Sequence, residues 1–260
     1  MKSLKNPVTF IFITVLVDCI GIGIIFPVIA SLITEVSHVP VNKATTYSGW
    51  MMTLYALMQF VFSPVLGGIS DRYGRRPVLL LSLLGLGIDY LFLSVAHTLT
   101  LLFIGRIIAG ICGASFTTSF AYIADVSPSE KRAQYFGMMG AAFGVGFIIG
   151  PVLGALASHW GVRAPFVVAA CLSLLNFLYG YFILPESLKP ENRRAFQWKR
   201  ANPLGAFIQI KKSKNIRTLI FTMFLLYLAG QVMPSIWAFY TKFTYNWSDA
   251  EIGYSLAFVG

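Results

Sequence analysis

Charged side chains are scarce in this chain, because Asp, Glu, Lys and Arg together make up only 12% of its 260 residues. A soluble domain carries about 25% charged residues, whereas this chain has 57% hydrophobic residues and a mean hydropathy of +0.72. Cysteine is also rare, and its three copies lie apart within apolar runs, at Cys19, Cys112 and Cys171. They predict small buried side chains, not a disulfide framework or a metal site. The composition therefore argues against a soluble enzyme.

Seven apolar runs are long enough to cross a membrane, for which about 20 residues are needed. They are 8–32, 47–69, 77–96, 99–124, 135–158, 164–184 and 216–240. The first run is too long for the core of a cleaved signal peptide. The sequence has no nucleophile–base pair and no metal-ligand set that indicates an intramembrane enzyme. We therefore predict an all-helical polytopic membrane protein that is not an enzyme.

The net charge of +10 is spread unevenly over the loops. Most of the 20 Lys and Arg residues lie at the N-terminus and in the segments that follow the second, fourth and sixth predicted spans. Cytoplasmic loops carry such an excess of positive charge. The pattern predicts that the N-terminus lies inside the cell and that the basic residues face the lipid bilayer, with no nucleic acid as partner.

A long basic segment separates the first six predicted spans from the seventh. A connection of this length inside a bundle usually divides domains. The predicted organisation is a six-helix transmembrane half at 1–184, a cytoplasmic basic linker at 185–215 and the start of a second transmembrane half at 216–260. Within the linker, the mixture of apolar and basic residues in 202–212 is typical of an interfacial amphipathic helix, and a plainly solvated linker is the alternative.

An eighth helix begins near the last printed residues. Ser248-Asp249-Ala250-Glu251 is a capping box, in which the first and last side chains satisfy free N–H groups at a helix start. With the apolar run 252–260 it covers only about half of a membrane. We therefore expect a truncated product or a fragment of something longer. A complete seven-helix protein with a short amphipathic tail is the alternative.

Three charged residues, Asp18, Asp89 and Arg106, lie inside predicted spans, where each charge costs about 2.5–3.5 kcal/mol on insertion scales. Asp89 and Arg106 lie at one depth in adjacent antiparallel spans, so they can form an ion pair or line one aqueous path. Asp18 has no sequence-near partner and can serve to bind and release a proton. The mid-span amides Gln59 and Gln231 can each form hydrogen bonds to a polar ligand or between two helices.

The loop after the second predicted span carries an ordered motif of glycines and charges. Gly67 is expected to permit close helix approach, and Gly74 a tight turn. Asp71 can pair with an arginine or meet a helix N-terminus, and the arginines hold the loop in the cytoplasm. The residues of this loop motif are Gly67, Ser70, Asp71, Arg72, Gly74, Arg75 and Arg76.

The fourth and fifth predicted spans carry two further motifs. The fourth ends near Asp125, whose carboxylate opposes the helix dipole and so needs an arginine partner; Arg132 follows it in the chain. The fifth carries a stripe of small residues and a proline, which predicts close packing and a kink, although packing alone is an open alternative to a transport role. The stripe consists of Gly146, Gly150, Pro151 and Gly154.

Together these motifs resemble the major facilitator superfamily and, within it, the bacterial tetracycline/proton antiporters. The loop motif is similar to the superfamily hallmark between its second and third helices, and the Gly-Pro stripe to the signature of its drug/proton antiporters. The likeness covers nearly the whole chain and includes the segments 18–28, 54–60, 70–80, 89–90, 121–125, 184–187, 230–237 and 252–256.

The resemblance implies a major facilitator fold with its N-terminal six-helix half, its seventh helix and the start of its eighth. It implies a multi-pass efflux pump of the bacterial inner membrane that confers antibiotic resistance. The small-molecule substrate would be a tetracycline chelated to a divalent cation, exported in exchange for a proton. Asp18 and Asp89 match the family's transport carboxylates, Arg106 its fourth-helix arginine and Gln59 a substrate-path amide. The resemblance also implies that the loop motif is a gating loop, which Ser70, Asp71, Arg72 and Arg75 match.

No protein cofactor is expected. The proton gradient supplies the energy, and the sequence has no phosphate-binding nucleotide loop. Two alternatives stay open. In the first, the chain exports another drug and has the same fold. In the second, it is an inactive truncated remnant, because the family's second half supplies another carboxylate and half of the cavity.

Overall fold

The structure is a computed structural model that describes residues 7–113, 115–198, 201–203 and 214–259. Within these ranges the chain is helical and has no strand. Seven helices or helix pairs are long and apolar enough to cross a membrane, which confirms the predicted number of spans. The proposed amphipathic helix of the linker lies outside the described residues from position 204 onward, and the domain division at 185–215 stays a prediction.

The described ranges contain ten α-helices, which we number in chain order. They are α1 (Pro7–Ser37), α2 (Val41–Tyr73), α3 (Arg75–Val95), α4 (Leu99–Cys112), α5 (Ser115–Val126), α6 (Arg132–Ser158), α7 (Ala164–Ile183), α8 (Lys214–Gly230), α9 (Val232–Tyr245) and α10 (Asp249–Val259). Two short 3₁₀ helices, Ser129–Lys131 and Pro190–Asn192, lie in connections. The pairs α4–α5 and α8–α9 each make one span.

The first two helices are longer than their apolar runs. α1 ends only at Ser37 and α2 begins at Val41, so three residues reverse the chain. His38 takes the left-handed conformation with φ 55°, and Pro40 precedes the first turn of α2, a place where its missing N–H is no loss. Helix therefore continues past the hydrocarbon boundary that the sequence pattern marks.

The capping box that the sequence predicts is present at the start of α10. The backbone N–H of Ser248 donates to Glu251 Oε2 at 2.7 Å, and the backbone N–H of Glu251 donates to Ser248 Oγ at 3.3 Å. The backbone N–H of Ser248 and its hydroxyl, which donates to Glu251 Oε2 at 2.8 Å, both lower the pKa of the Glu251 carboxyl. The box fixes where α10 begins, and thus holds Asp249 in its first turn.

The small-residue stripe of α6 packs directly against α1. A Cβ atom added to Gly150 would lie 2.7 Å from the Cα of Gly23, and one added to Gly154 would lie 2.5 Å from the carbonyl oxygen of Ile24. Such distances leave no room for any side chain larger than hydrogen. The close packing predicted from the stripe is therefore confirmed, and it brings the two helix backbones together.

We expect Gly150→Ala to destabilise the bundle by about 1–3 kcal/mol, because the new methyl group overpacks this backbone contact. Thermal unfolding of the detergent-solubilised chain checks this. Gly144→Ala is the matched control, because a Cβ atom there meets nothing within 4 Å. Equal melting temperatures for the two variants would contradict the packing account.

Candidate functional site

The three intramembrane charges lie in a buried polar cluster formed by α1, α2, α3 and the α4–α5 span. Asp89 is fully buried on α3 and Asp18 is 4% exposed on α1. Arg106 on α4 is half-buried. A charged side chain that faces lipid is costly, and this cost favours the placement of all three inside the bundle.

Asp89 and Arg106 form an ion pair in which the Arg106 Nη2 group donates to Asp89 Oδ2. Gly105 makes room for it, because a Cβ atom there would lie 2.7 Å from Asp89 Oδ1. Of the two arrangements that the sequence allows, the structure has the direct pair. Asp89 Oδ1 and Arg106 Nε have no hydrogen-bond partner among the described residues, so the pair keeps capacity for a further polar ligand.

Asp18 differs from Asp89 because no basic residue in the described ranges forms an ion pair with it. The Ser115 side chain, at the start of α5, is its hydrogen-bond partner. The Oδ1 atom of Asp18 is buried and has no partner within the same ranges. Asp18 is thus a desolvated acid with no counter-charge in the part of the chain that the structure describes.

The cluster also includes Gln59, a mid-span amide that the sequence predicted, and two tyrosines, Tyr55 and Tyr90, that the sequence analysis did not single out. Gln59 Nε2 donates to the carbonyl oxygen of Gly113 at 2.9 Å and to Tyr55 Oη at 3.4 Å, so it joins α2 to the break between α4 and α5. Tyr90 is 3% exposed, and its ring packs on Gly21, one turn beyond Asp18. For Tyr55 and Tyr90, the sequence signal that could have found them is their place near the intramembrane charges.

A run of aromatic rings lies on α1, α5 and α6. The centroids of Phe26 and Phe147 are 5.3 Å apart, those of Phe147 and Phe143 are 5.6 Å apart and stacked, and those of Phe143 and Phe116 are 6.4 Å apart. Phe143 is 48% exposed. We call these four residues the aromatic wall.

Gln231 does not join the cluster. It lies at the junction of α8 and α9, where its backbone N–H donates to the carbonyl oxygen of Tyr227 at 3.1 Å, and its side chain is exposed. The hydrogen bonds and ion pairs of the cluster do not include it in the part of the chain that the structure describes.

The loop motif is organised around Arg75 at the start of α3. Its guanidinium donates to Asp71 Oδ1 at 2.5 Å, to Ser70 Oγ at 3.2 Å and to Asp125 Oδ2 at 3.0 Å. The arginine partner expected for Asp125 is therefore Arg75. Arg132 instead donates to the carbonyl oxygen of Ala124 at 3.2 Å, near the end of α5.

Glu186, which the sequence analysis did not single out, caps α3. Its carboxylate accepts from the backbone N–H of Arg75 at 2.8 Å and from that of Arg76 at 3.2 Å. An anion at a helix N-terminus is favourable, and here that anion is Glu186, while Asp71 pairs with arginine. Gly74 makes the turn with φ 111°, as predicted.

The other two arginines and Gly67 complete the loop. Arg76 donates to the carbonyl oxygen of Tyr181 at 2.6 Å, and the Arg72 guanidinium lies 4.9 Å from the centroid of the Tyr73 ring. The expectation that Gly67 permits close helix approach is wrong, because a Cβ atom there meets nothing within 4 Å. The neighbouring Gly68 has the close contact instead, because a Cβ atom added there would lie 3.0 Å from the ring of Phe196.

A family model described as Major Facilitator Superfamily matches residues 11–260. The chain is 42% identical over 260 residues to the tetracycline resistance protein, class C, of Escherichia coli, covering 100% of this chain and 65% of that protein. It is 39% identical to the tetracycline resistance protein, class H, of Pasteurella multocida, covering 98% of this chain and 63% of that protein.

Among solved structures, the human organic anion transporter MFSD10 (TETRAN) superposes with a TM-score of 0.76 at 21% identity, covering 98% of this chain and 69% of that chain. At this identity the superposition concerns the fold alone, and it agrees with the helix arrangement described above. The chain spans less than two thirds of the length of the two tetracycline resistance proteins.

Proposed function

Because the chain belongs to the Major Facilitator Superfamily, we propose that it is a proton-coupled antiporter that exports a tetracycline from the cytoplasm as a chelate with a divalent cation. The relatives of classes C and H support this substrate by their names. In the proposal the protein lies in a bacterial inner membrane with its N-terminus inside, and the loop of Arg75 faces the cytoplasm. The proton gradient supplies the energy.

The observation that carries the proposal is Asp18, a buried carboxylate with a free oxygen and no counter-charge among the described residues. An isolated buried charge is costly. Binding either a proton or a cationic ligand removes that cost, so the two compete for the same group. Asp89 is already paired with Arg106 and can respond when a ligand approaches its free oxygen.

Competition at one carboxylate becomes transport only if the two ligands favour different conformations. A ligand shifts a conformational balance by its differential affinity for the two states. In the proposed cycle, the protonated site and the chelate-bound site favour opposite openings of the bundle. The loop centred on Arg75 is suited to such a change, because its ion pairs with Asp71 and Asp125 join the starts and ends of three helices.

The aromatic wall provides the apolar part of the proposed binding site. Phe26 lies on the same helix as Asp18. Its ring neighbours that of Phe147, which in turn stacks on the half-exposed Phe143. Aromatic faces bind flat ring systems by offset stacking and attract cations. A planar polycyclic ligand that carries a metal cation has both features, which matches this combination of rings and acid.

Everted membrane vesicles that contain the chain test the proposal. With a proton gradient established by respiration, we expect them to accumulate tetracycline in the presence of Mg²⁺ and to lose protons at the same time. Dissipating the gradient with an ionophore is expected to stop accumulation. Membranes that contain the chain but accumulate no tetracycline would contradict the proposal and support a non-transporting protein. Accumulation of a different drug, without accumulation of tetracycline, would contradict the proposed substrate.

A further inference from the structure

Three polar side chains meet at the end of the bundle opposite the Arg75 loop, which we call the outer end. Lys242 Nζ donates to Ser31 Oγ at 2.6 Å and to Asp249 Oδ1 at 2.8 Å, and the Ser31 hydroxyl donates to Asp249 Oδ1 at 2.5 Å. Each member thus bonds to both others. We call this set the outer triangle.

The outer triangle joins two parts of the chain that are far apart in sequence. Ser31 lies on α1, whereas Lys242 lies on α9 and Asp249 begins α10. Lys242 and Asp249 form an ion pair with each other. The hydroxyl of Ser31 is therefore the one member supplied by the first six spans, and it sits between the two charges as acceptor from one and donor to the other.

The outer triangle is only partly accessible to solvent, because the side chains of Lys242 and Asp249 are 24% and 11% exposed. Ser31 is 8% exposed, and Phe239 and Ile252 from the same two short helices are 3% and 0% exposed. Hydrogen bonds to charged groups are stronger than those between neutral groups. The Ser31 hydroxyl thus makes two hydrogen bonds to charged groups in a partly buried place.

A second contact closes the outer end beside the outer triangle. A Cβ atom added to Gly253 of α10 would lie 2.5 Å from the carbonyl oxygen of Pro151 and 2.6 Å from the Cβ atom of Ala155, both on α6. The backbones of α10 and α6 therefore touch. The outer end is shut in this structure by packing against α6 and by the polar link to α1.

We propose that Ser31 is a gating residue, whose hydroxyl holds the outer end closed and must leave the Lys242–Asp249 pair before that end can open. The inference rests on the proposed function, since only an alternating transporter needs this end to open. Withdrawing a neutral hydroxyl leaves Lys242 and Asp249 still paired with each other. Opening therefore exposes no unpaired charge, which makes the closure reversible.

Distances between two spin labels at the outer end test this inference. The labels are placed at the exposed positions His159, between α6 and α7, and Thr244, on α9, in a chain whose three cysteines are replaced by alanine. We expect Ser31→Ala to raise the ratio of long to short distances on the order of tenfold, because two hydrogen bonds to charged groups are lost. Ser31→Thr keeps a hydroxyl and is expected to keep the short distance.

Ser37→Ala is the matched control. It removes a hydroxyl from the same helix, but that hydroxyl donates to the carbonyl oxygen of Ile33 within α1 at 2.5 Å. We expect it to leave the distances unchanged. An unchanged distribution in Ser31→Ala, or an equal shift in Ser37→Ala, would overturn the inference. The measurement needs no transport, so a chain that moves no tetracycline still gives a clear result here.

Discussion

Replacing Asp18 by asparagine is expected to reduce proton-driven tetracycline uptake into everted vesicles to background, a loss on the order of 100-fold, as for other groups that transfer protons. Asparagine has nearly the same shape and can still accept a hydrogen bond from Ser115. It can neither take up a proton nor balance the charge of a cationic chelate. The uptake rate at equal amounts of protein in the membrane is the measurement.

The control for this experiment is a carboxylate at the outer surface. Glu35→Gln removes an acid that pairs with Arg163 at 3.1 Å and is partly exposed, so we expect uptake to continue. Full uptake by the Asp18→Asn variant would remove Asp18 from the mechanism. Equal loss in both variants would show that any missing carboxylate disturbs the bundle.

Replacing Arg106 by leucine is expected to lower the free energy of unfolding by about 3–5 kcal/mol. The change leaves the fully buried Asp89 without its counter-charge, and breaking one side of a buried pair has this cost. Replacing both members by apolar residues is often neutral. The double variant Arg106→Leu with Asp89→Leu is therefore expected to recover most of the lost stability, although not transport.

Denaturant unfolding of the purified chain in detergent measures both variants. A single variant as stable as the unmodified chain would mean that the Asp89–Arg106 pair contributes nothing to the fold. A double variant no more stable than the single one would place the effect in lost packing around Arg106, not in the unpaired charge.

The spans could be predicted from sequence because the membrane itself imposes the length of each apolar run. The predicted fourth run, 99–124, matches the span Leu99–Val126 within two residues. The same reasoning could not find the break at Gly113, since hydropathy records composition and not backbone continuity. It also missed the extension of α1 to Ser37, where polar residues continue the helix into water.

The charged residues of the site were predictable because a charge within lipid is costly, so charged residues in a membrane span are rare and usually functional. The depth of Asp89 and Arg106 in adjacent antiparallel helices also indicated their pairing. Their neighbours were not predictable, because the contact of Ser115 with Asp18 and the cap that Glu186 makes on α3 depend on how the helices are rotated and packed. The error at Gly67 has the same origin: the sequence shows that a glycine is present, not which face of α2 meets a neighbour.

Proton release on ligand binding is the measurement that bears most directly on the central claim, that a proton and a cationic tetracycline chelate exchange at Asp18. The purified chain in lightly buffered detergent solution at neutral pH is mixed with a preformed tetracycline–Mg²⁺ chelate, already equilibrated to the same pH, while the pH is followed. We predict that binding releases protons in proportion to the chelate bound, and that the Asp18→Asn variant releases none. Binding with no proton release, or the same release from the variant, would contradict the claim.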